Sequence, residues 1–194
     1  MNRKYGKTCK LIISLLIAFV VVLSGCSFGG ISSSSSKNNT TPTVQNKYTM
    51  DILSVDSTTV AKNGTVTLTI GLNTTESINT CGYQCILTYD TSRFEFTSAG
   101  SAADGLTVTA NVDNNNMLRV VAIPQFKDGM TTVSEQKPEL LELTFTANNT
   151  TGTGTFQLKN HSGFSNSVSI YNDNGKATNV TSLGIGKSQS VIVQ

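Results

Sequence analysis

An all-β sandwich is the fold class that this sequence predicts, and three observations lead to it. Short stretches alternate apolar and polar residues with period two, which is the pattern of a strand with one buried face. Clusters of Asn, Asp and Gly separate these stretches, as expected of tight turns. Beyond the N-terminal apolar run, no helical stripe appears apart from a single turn near residues 134–137. Nine or ten short strands in one domain predict a β-sandwich.

The clearest strand covers residues 80–90. One face carries Cys81, Tyr83, Cys85, Leu87 and Tyr89. The opposite face carries Gly82, Gln84 and Thr88, with Ile86 as its one apolar member. Asp-Thr-Ser at 90–92 predicts a turn, because short polar side chains hydrogen-bond their own backbone, and a second alternating segment follows at 94–96. The two strands are expected to form the centre of the sandwich.

The remaining segments have the same alternation. The predicted strands are 48–55, 65–72, 80–90, 94–98, 106–112, 118–124, 140–147, 154–159, 167–171 and 188–193. The predicted core consists of Ile52, Val66, Leu68, Ile70, Tyr83, Cys85, Leu87, Phe94, Phe96, Leu141, Leu143, Phe145, Phe156 and Leu158.

The N-terminus has the pattern of an export signal. Residues 1–10 are basic, residues 11–23 are apolar, and Leu-Ser-Gly-Cys ends the segment at Cys26. The apolar run is shorter than the roughly 20 residues of a membrane span. Leu-Ser-Gly-Cys resembles the bacterial lipoprotein signature, which implies lipidation of Cys26; an ordinary secreted protein is the alternative. We therefore expect a signal peptide at 1–25, a lipidated Cys and disordered Ser-rich linker at 26–47, and a folded domain at 48–194.

The charge balance argues against a nucleic-acid partner. The chain has 14 Lys and Arg against 12 Asp and Glu, but four of the basic residues precede the apolar run. The remainder of the chain is slightly acidic and has no basic patch to neutralise phosphates.

Two cysteines, Cys81 and Cys85, fall within the predicted domain. In an extended strand their Cα atoms would be ~13 Å apart, whereas a disulfide needs roughly 4.4 to 6.8 Å. A bridge would require Cys81 to lie in a bend; otherwise both side chains pack on the core face. With His161 as the single His, the ligands are too few for a metal site, and no cofactor is expected.

The order of these segments resembles the cohesin domain family. The likeness rests on residues 78–96, with Leu-x-Tyr-Asp followed by a short strand ending in Glu-Phe, on Lys-Asn-Gly at 62–64 before a Val-rich strand, and on 140–145. It continues with Phe164, the Asn-Asp-Asn-Gly turn at 172–175 and the last strand at 189–193. Thr91, where many cohesins have Pro, and the paired cysteines depart from the family pattern.

The resemblance implies a nine-stranded jelly roll that binds a dockerin, a helical module that carries its own calcium, on the sheet containing strand 80–90. The outward positions of strands 80–90 and 118–124 would supply the contacts. The expected partner-binding residues are Gly82, Gln84, Ile86, Thr88, Arg119, Val121 and Ile123. An outward row of Ile86, Val121 and Ile123 would be an apolar patch with a polar rim, as a helix-binding surface requires. In the opposite orientation, Val121 and Ile123 would belong to the core.

Catalysis finds little support in the residues. His161 lies in a polar stretch suited to an exposed loop, and Glu95 and Glu142 lie on the polar faces of their strands. Asn-Asp-Asn-Gly at 172–175 does not fit a calcium loop, because Ile170 and Thr181 would occupy ligand positions. We expect a non-catalytic, membrane-anchored module on the extracytoplasmic side of the cell surface. A carbohydrate-binding module, with a polysaccharide ligand, and a structural stalk or adhesin domain are the alternatives.

Overall fold

The computed structural model describes residues 46–113, 116–125, 130–161, 164–171 and 176–194. The predicted signal peptide, Cys26 and nearly all of the predicted linker lie outside the described residues, as does the turn expected at 172–175. Within the described ranges, no helix is long and apolar enough to cross a membrane.

The described residues form fourteen strands. These are β1 (Tyr48–Val55), β2 (Thr59–Val60), β3 (Thr65–Thr74), β4 (Ile78–Tyr89), β5 (Phe94–Ser101), β6 (Leu106–Val112), β7 (Met117–Pro124), β8 (Thr131–Val133), β9 (Glu139–Ala147), β10 (Gly152–Leu158), β11 (Ser167–Tyr171), β12 (Ala177–Val180), β13 (Gly184–Ile185) and β14 (Gln189–Val193).

The strands form two sheets. The first has the order β13-β1-β3-β9-β5, and the second has the order β12-β11-β4-β10-β14-β2. In the second sheet, β7 and β8 also pair with β4, and β6 pairs with β7. Strand β4 is therefore the centre of the second sheet, as predicted, whereas β5, which was expected to be central as well, lies at the edge of the first sheet.

One hydrophobic core joins the sheets. The Phe145 ring of β9 lies 5.0 Å from the Tyr89 ring of β4 and 4.9 Å from the Phe156 ring of β10, measured between centroids. The core cluster runs from Met50 to Val193. The segment Val44–Gln194 forms one compact unit. Because that segment holds the whole cluster, we expect it to fold on its own.

The predicted sandwich is confirmed. All ten predicted strands are present, and β1, β6 and β11 have the predicted bounds. The other four strands have two to four residues, too few for alternation to reveal them. Every predicted core residue is buried except Phe96, which is half-buried against the core.

Cys81 does not lie on the core face where simple alternation places it. Gly82 pairs with Ser169 of β11 and Thr80 pairs with Ile170, so that Cys81 is the extra residue of a β-bulge. It is half-exposed, while Cys85 is fully buried, and no disulfide joins them. Burial raises the pKa of the Cys85 thiol to about 12.

The predicted turn at 90–92 is present and is organised by Asp90. Its Oδ1 accepts hydrogen bonds from the Ser92 amide at 3.0 Å and the Ser92 hydroxyl at 2.6 Å. Its Oδ2 accepts one from Arg93 Nη1 at 2.6 Å. The hydrogen bond from the Ser92 hydroxyl has the largest effect and lowers the pKa of the Asp90 carboxyl. The hydrogen bond from Arg93 lowers this pKa further. The turn thus fixes the entry of the chain into β5.

Candidate partner-binding face

The seven predicted binding residues lie on two neighbouring strands of the second sheet. Gln84 of β4 pairs with Val121 of β7, and Ile86 pairs with Arg119. We call the side of this sheet that turns away from the core the outer face. The predicted positions of β4 and β7 are thus brought together on one surface.

The alternation of β7 decides which residues point outward. Leu118, Val120 and Ala122 belong to the core. Val121 and Ile123 are 40% and 48% exposed. The orientation with Val121 and Ile123 in the core is therefore wrong, and both side chains lie on the outer face.

Strand β6 adds a polar border to these apolar residues. Thr107 pairs with Ile123, Thr109 pairs with Val121, and Asn111 pairs with Arg119. All three β6 side chains are exposed. Residues directly opposite in an antiparallel pair have their side chains close together on one face. An apolar row on β7 is therefore flanked by hydroxyl and amide groups on β6.

The prediction that Ile86 is exposed is wrong. Its side chain is 1% exposed, although it does not belong to the core cluster. Strands β10 and β11 pair with the same edge of β4. The pairing with β10 begins at Leu87 and the pairing with β11 ends at Gln84, so that Ile86 lies in the gap between them. Residues 159–166, which we call the crossing loop, connect the two strands at this gap. At the gap Lys159 N donates to Ile86 O at 3.0 Å, and Ile86 N donates to Asn166 Oδ1 at 2.8 Å.

The described ends of the crossing loop are held by amide side chains. Asn166 is fully buried and donates through both N and Nδ2 to Asn160 Oδ1, each at 2.9 Å. Gln84 Nε2 donates to Ser165 O at 2.8 Å. Because a buried amide is costly to leave without hydrogen bonds, these contacts specify one path for the loop ends.

The other two β4 positions are also poorly placed for contact with a partner. Gly82 is buried, and a Cβ there would lie 2.8 Å from the Ala122 carbonyl oxygen, so glycine allows the close approach of β4 and β7. Thr88 is half-buried and donates to Gln157 O at 3.2 Å. The outward residues of β4 therefore mainly support the face, while β7 supplies its exposed apolar surface.

Sequence reasoning missed Phe164 as a member of this face. The ring is 43% exposed and lies over the Arg119 guanidinium, with 3.7 Å between the guanidinium carbon and the ring centroid. Arg119 also donates to Asp113 Oδ2 through Nε at 3.1 Å and Nη2 at 2.8 Å. The sequence shows Phe164 as one aromatic residue in an otherwise polar stretch, but it does not show which strand the ring reaches. Phe164, Val121 and Ile123 together form what we call the apolar row.

Comparison with known proteins identifies the family. The cohesin domain model matches residues 52–188. The chain therefore belongs to the cohesin domain family, and the jelly-roll sandwich implied by the sequence resemblance is confirmed. A comparison with curated proteins finds no match.

Solved cohesin structures share this fold at low sequence identity. A cohesin module from a Clostridium perfringens family 33 glycoside hydrolase has a TM-score of 0.55 at 10% identity, covering 77% of this chain and 98% of that one. The seventh ScaB type I cohesin from Pseudobacteroides cellulosolvens has a TM-score of 0.55 at 16% identity, covering 75% and 92%. The sixth cohesin of Acetivibrio cellulolyticus scaffoldin B, solved with a Cel5 dockerin, has a TM-score of 0.54 at 9% identity, covering 77% and 100%.

Cohesin domains are non-catalytic binding modules. The glycoside hydrolase named with the Clostridium perfringens structure carries its cohesin as one module, so that similarity gives no support to catalysis by the sandwich.

Proposed function

We propose that this chain is a membrane-anchored cohesin module that binds a dockerin module of another exported protein. The observation that carries the proposal is the apolar row on the outer face, formed by Phe164, Val121 and Ile123 and bordered by the polar β6 side chains. A helix can lay its apolar stripe on such a row and its polar flanks on Thr107, Thr109 and Asn111. The dockerin complex of a structurally similar cohesin supports the choice of partner.

The anchoring part of the proposal rests on the sequence. Lipidation of Cys26 would attach the chain to a membrane, since each buried methylene contributes about 0.8 kcal/mol. A flexible linker of the predicted length has an r.m.s. reach of roughly 25 Å. The module would thus stand clear of the membrane on the extracytoplasmic side, where exported dockerin proteins are accessible.

Calorimetric titration tests the binding proposal. The Val44–Gln194 segment is titrated with each dockerin module encoded in the same genome, with calcium and again with excess chelator. The proposal expects saturable binding to at least one dockerin in calcium and its loss in chelator, because the calcium belongs to the partner. Retention on insoluble polysaccharide without any dockerin binding would favour the carbohydrate alternative, and binding to neither would favour a structural domain.

A separate experiment tests anchoring. The full chain and a Cys26→Ala variant are expressed in a bacterium and partitioned with a phase-separating detergent. The wild-type chain should enter the detergent phase, and the variant should not. Equal partitioning of the two would contradict lipidation at Cys26 without affecting the dockerin proposal.

The carbohydrate alternative is weakened by the tyrosines. Sugar-binding faces use exposed aromatic rings, but Tyr83 is buried with its hydroxyl donating to Leu140 O at 2.9 Å. Tyr89 is half-buried against Phe145 and Phe156. These two rings hold the sheets together and do not form a sugar platform.

A further inference from the structure

Strand β6 has one edge that pairs with no described strand, although β5 of the first sheet lies near β6. Within the described residues β6 pairs with β7 alone, across a continuous register from Leu106 to Val112. The Gly105 carbonyl and the Asp113 amide bond to the β7 side. Backbone groups alternate in direction along a strand, so the odd-numbered residues of β6 face β7. The even-numbered residues Leu106, Val108, Ala110 and Val112 therefore direct their N–H and C=O groups to the open edge.

The other outlying strands carry features that discourage pairing with another chain. Strand β5 has a register shift between Phe96 and Ser98 and a charged residue at Glu95. Strands β2, β8, β12 and β13 have four residues or fewer. Short length, bulges and charges are the usual protections of sheet edges. Strand β6 has seven residues, no charge, no proline and no shift of register.

The sequence of β6 is compatible with pairing to itself. In an antiparallel pair centred on Thr109, Val108 meets Ala110 and Leu106 meets Val112, so that all four edge-facing residues form hydrogen-bonded pairs. Moving the centre to residue 108 or 110 leaves one of them unpaired. Thr107 would meet Asn111 on the outer face, and Thr109 would meet its own copy. No like charges oppose each other within this pairing.

We propose that the open edge of β6 pairs with β6 of a second copy of this chain, in an antiparallel register centred on Thr109. The twofold axis of such a pair is normal to the sheet. Both outer faces therefore lie on the same side, and a dimer presents two apolar rows to one side. This pairing uses the backbone edge and is independent of whether the outer face binds a dockerin.

Sedimentation velocity over a concentration series of the Val44–Gln194 segment tests the proposal. We expect a monomer–dimer equilibrium for the wild type. Thr109→Lys and Thr109→Glu each place like charges opposite each other at the centre and should raise the dimer dissociation constant about fivefold or more. An equimolar mixture of the two variants should recover association close to wild type, because Lys then faces Glu.

Thr153→Lys is the matched control, since Thr153 is an exposed threonine of β10 in the same sheet and should leave the dissociation constant unchanged. Thermal unfolding of each variant checks that the fold is retained, and recovery in the mixture is not expected of misfolded chains. A wild-type segment that stays monomeric at all concentrations would overturn the proposal. A dimer insensitive to both charge variants would also overturn it, since another surface would then be responsible.

Discussion

The guanidinium carbon of Arg119 lies 3.7 Å from the centroid of the Phe164 ring. This contact joins β7 to the crossing loop, and the same guanidinium is held by two hydrogen bonds to Asp113. The Asp113 carboxylate on one side and the Phe164 ring on the other fix the position of the Arg119 guanidinium. The exposed ring of Phe164 is therefore held over Arg119, on the strand whose next outward residues are Val121 and Ile123.

Replacing Arg119 by Ala should destabilise the Val44–Gln194 segment by about 1–2 kcal/mol, because both the cation–π contact and the ion pair with Asp113 are lost. Urea unfolding measures the change. Arg119→Lys is the control: it keeps the charge but loses the planar two-bond contact, and its effect should be smaller. Equal stability of Arg119→Ala and wild type would show that the stack does not hold the crossing loop.

Replacing Asn166 by Ala should cost about 2 kcal/mol of unfolding free energy, since the buried amide of Ile86 would lose its acceptor and Asn160 Oδ1 would lose one of its two donors, the Asn166 Nδ2 group. Hydrogen exchange of the Ile86 amide should become faster as well. Asn148→Ala, at a half-buried residue whose side-chain amide makes one 3.3 Å bond to Thr91 O, is the matched control and should change stability little. Similar costs for both variants would contradict the role given to Asn166.

The Asp90 turn predicts a pH dependence of stability. The folded-state pKa of Asp90 is lowered, so its ionised carboxyl stabilises the fold above the unfolded pKa of about 4, and this contribution is lost as pH falls through the folded value. Asp90→Asn should therefore be less stable than wild type by about 1 kcal/mol at pH 7, with a smaller difference near pH 3. Unfolding midpoints at several pH values measure this. Glu95→Gln, an exposed change of one charge, should not reproduce the pattern, and a constant deficit in Asp90→Asn would contradict it.

The two thiols of the Val44–Gln194 segment should react at different rates. Cys81 is half-exposed, whereas Cys85 is fully buried and burial raises its pKa to about 12. At pH 8, a thiol reagent should label one equivalent rapidly and the second only after denaturation. Cys81→Ser should remove the rapid phase, and Cys85→Ser should leave it. Rapid labelling of both thiols in the folded wild type would contradict the assigned burial.

Alternation along the chain was enough to predict the sandwich and to place Val121 and Ile123 on the same face of their strand, but it left open whether that face turns outward. Their neighbours Val120 and Ala122 fill the core, and a period of two leaves little freedom once one face is fixed. Alternation failed at Cys81, because a bulge inserts one residue and reverses the faces beyond it. Nothing in the local pattern of 80–82 distinguishes such a bulge from a regular strand.

The position of Ile86 also depended on distant residues. It lies on the outer side of β4, as predicted, but Lys159 and Asn166 are bonded to its backbone, and its side chain is buried. Periodicity tells which side of a sheet a residue faces, and it does not tell what a loop more than 70 residues away places there. The same limit kept Phe164 out of the predicted site, since its place beside β7 arises only from the contact with Arg119.

The most direct test of the binding face is calorimetric titration of a cognate dockerin with the Ile123→Asp variant, alongside Ile192→Asp. Both isoleucines are exposed on strands of the second sheet, at 48% and 45%, but Ile192 lies on β14, away from β7. If the apolar row binds the dockerin, Ile123→Asp should weaken binding at least tenfold, because a charge would be desolvated at the contact, while Ile192→Asp should bind like wild type. Unchanged affinity in Ile123→Asp, with both variants folded, would contradict the proposed binding face.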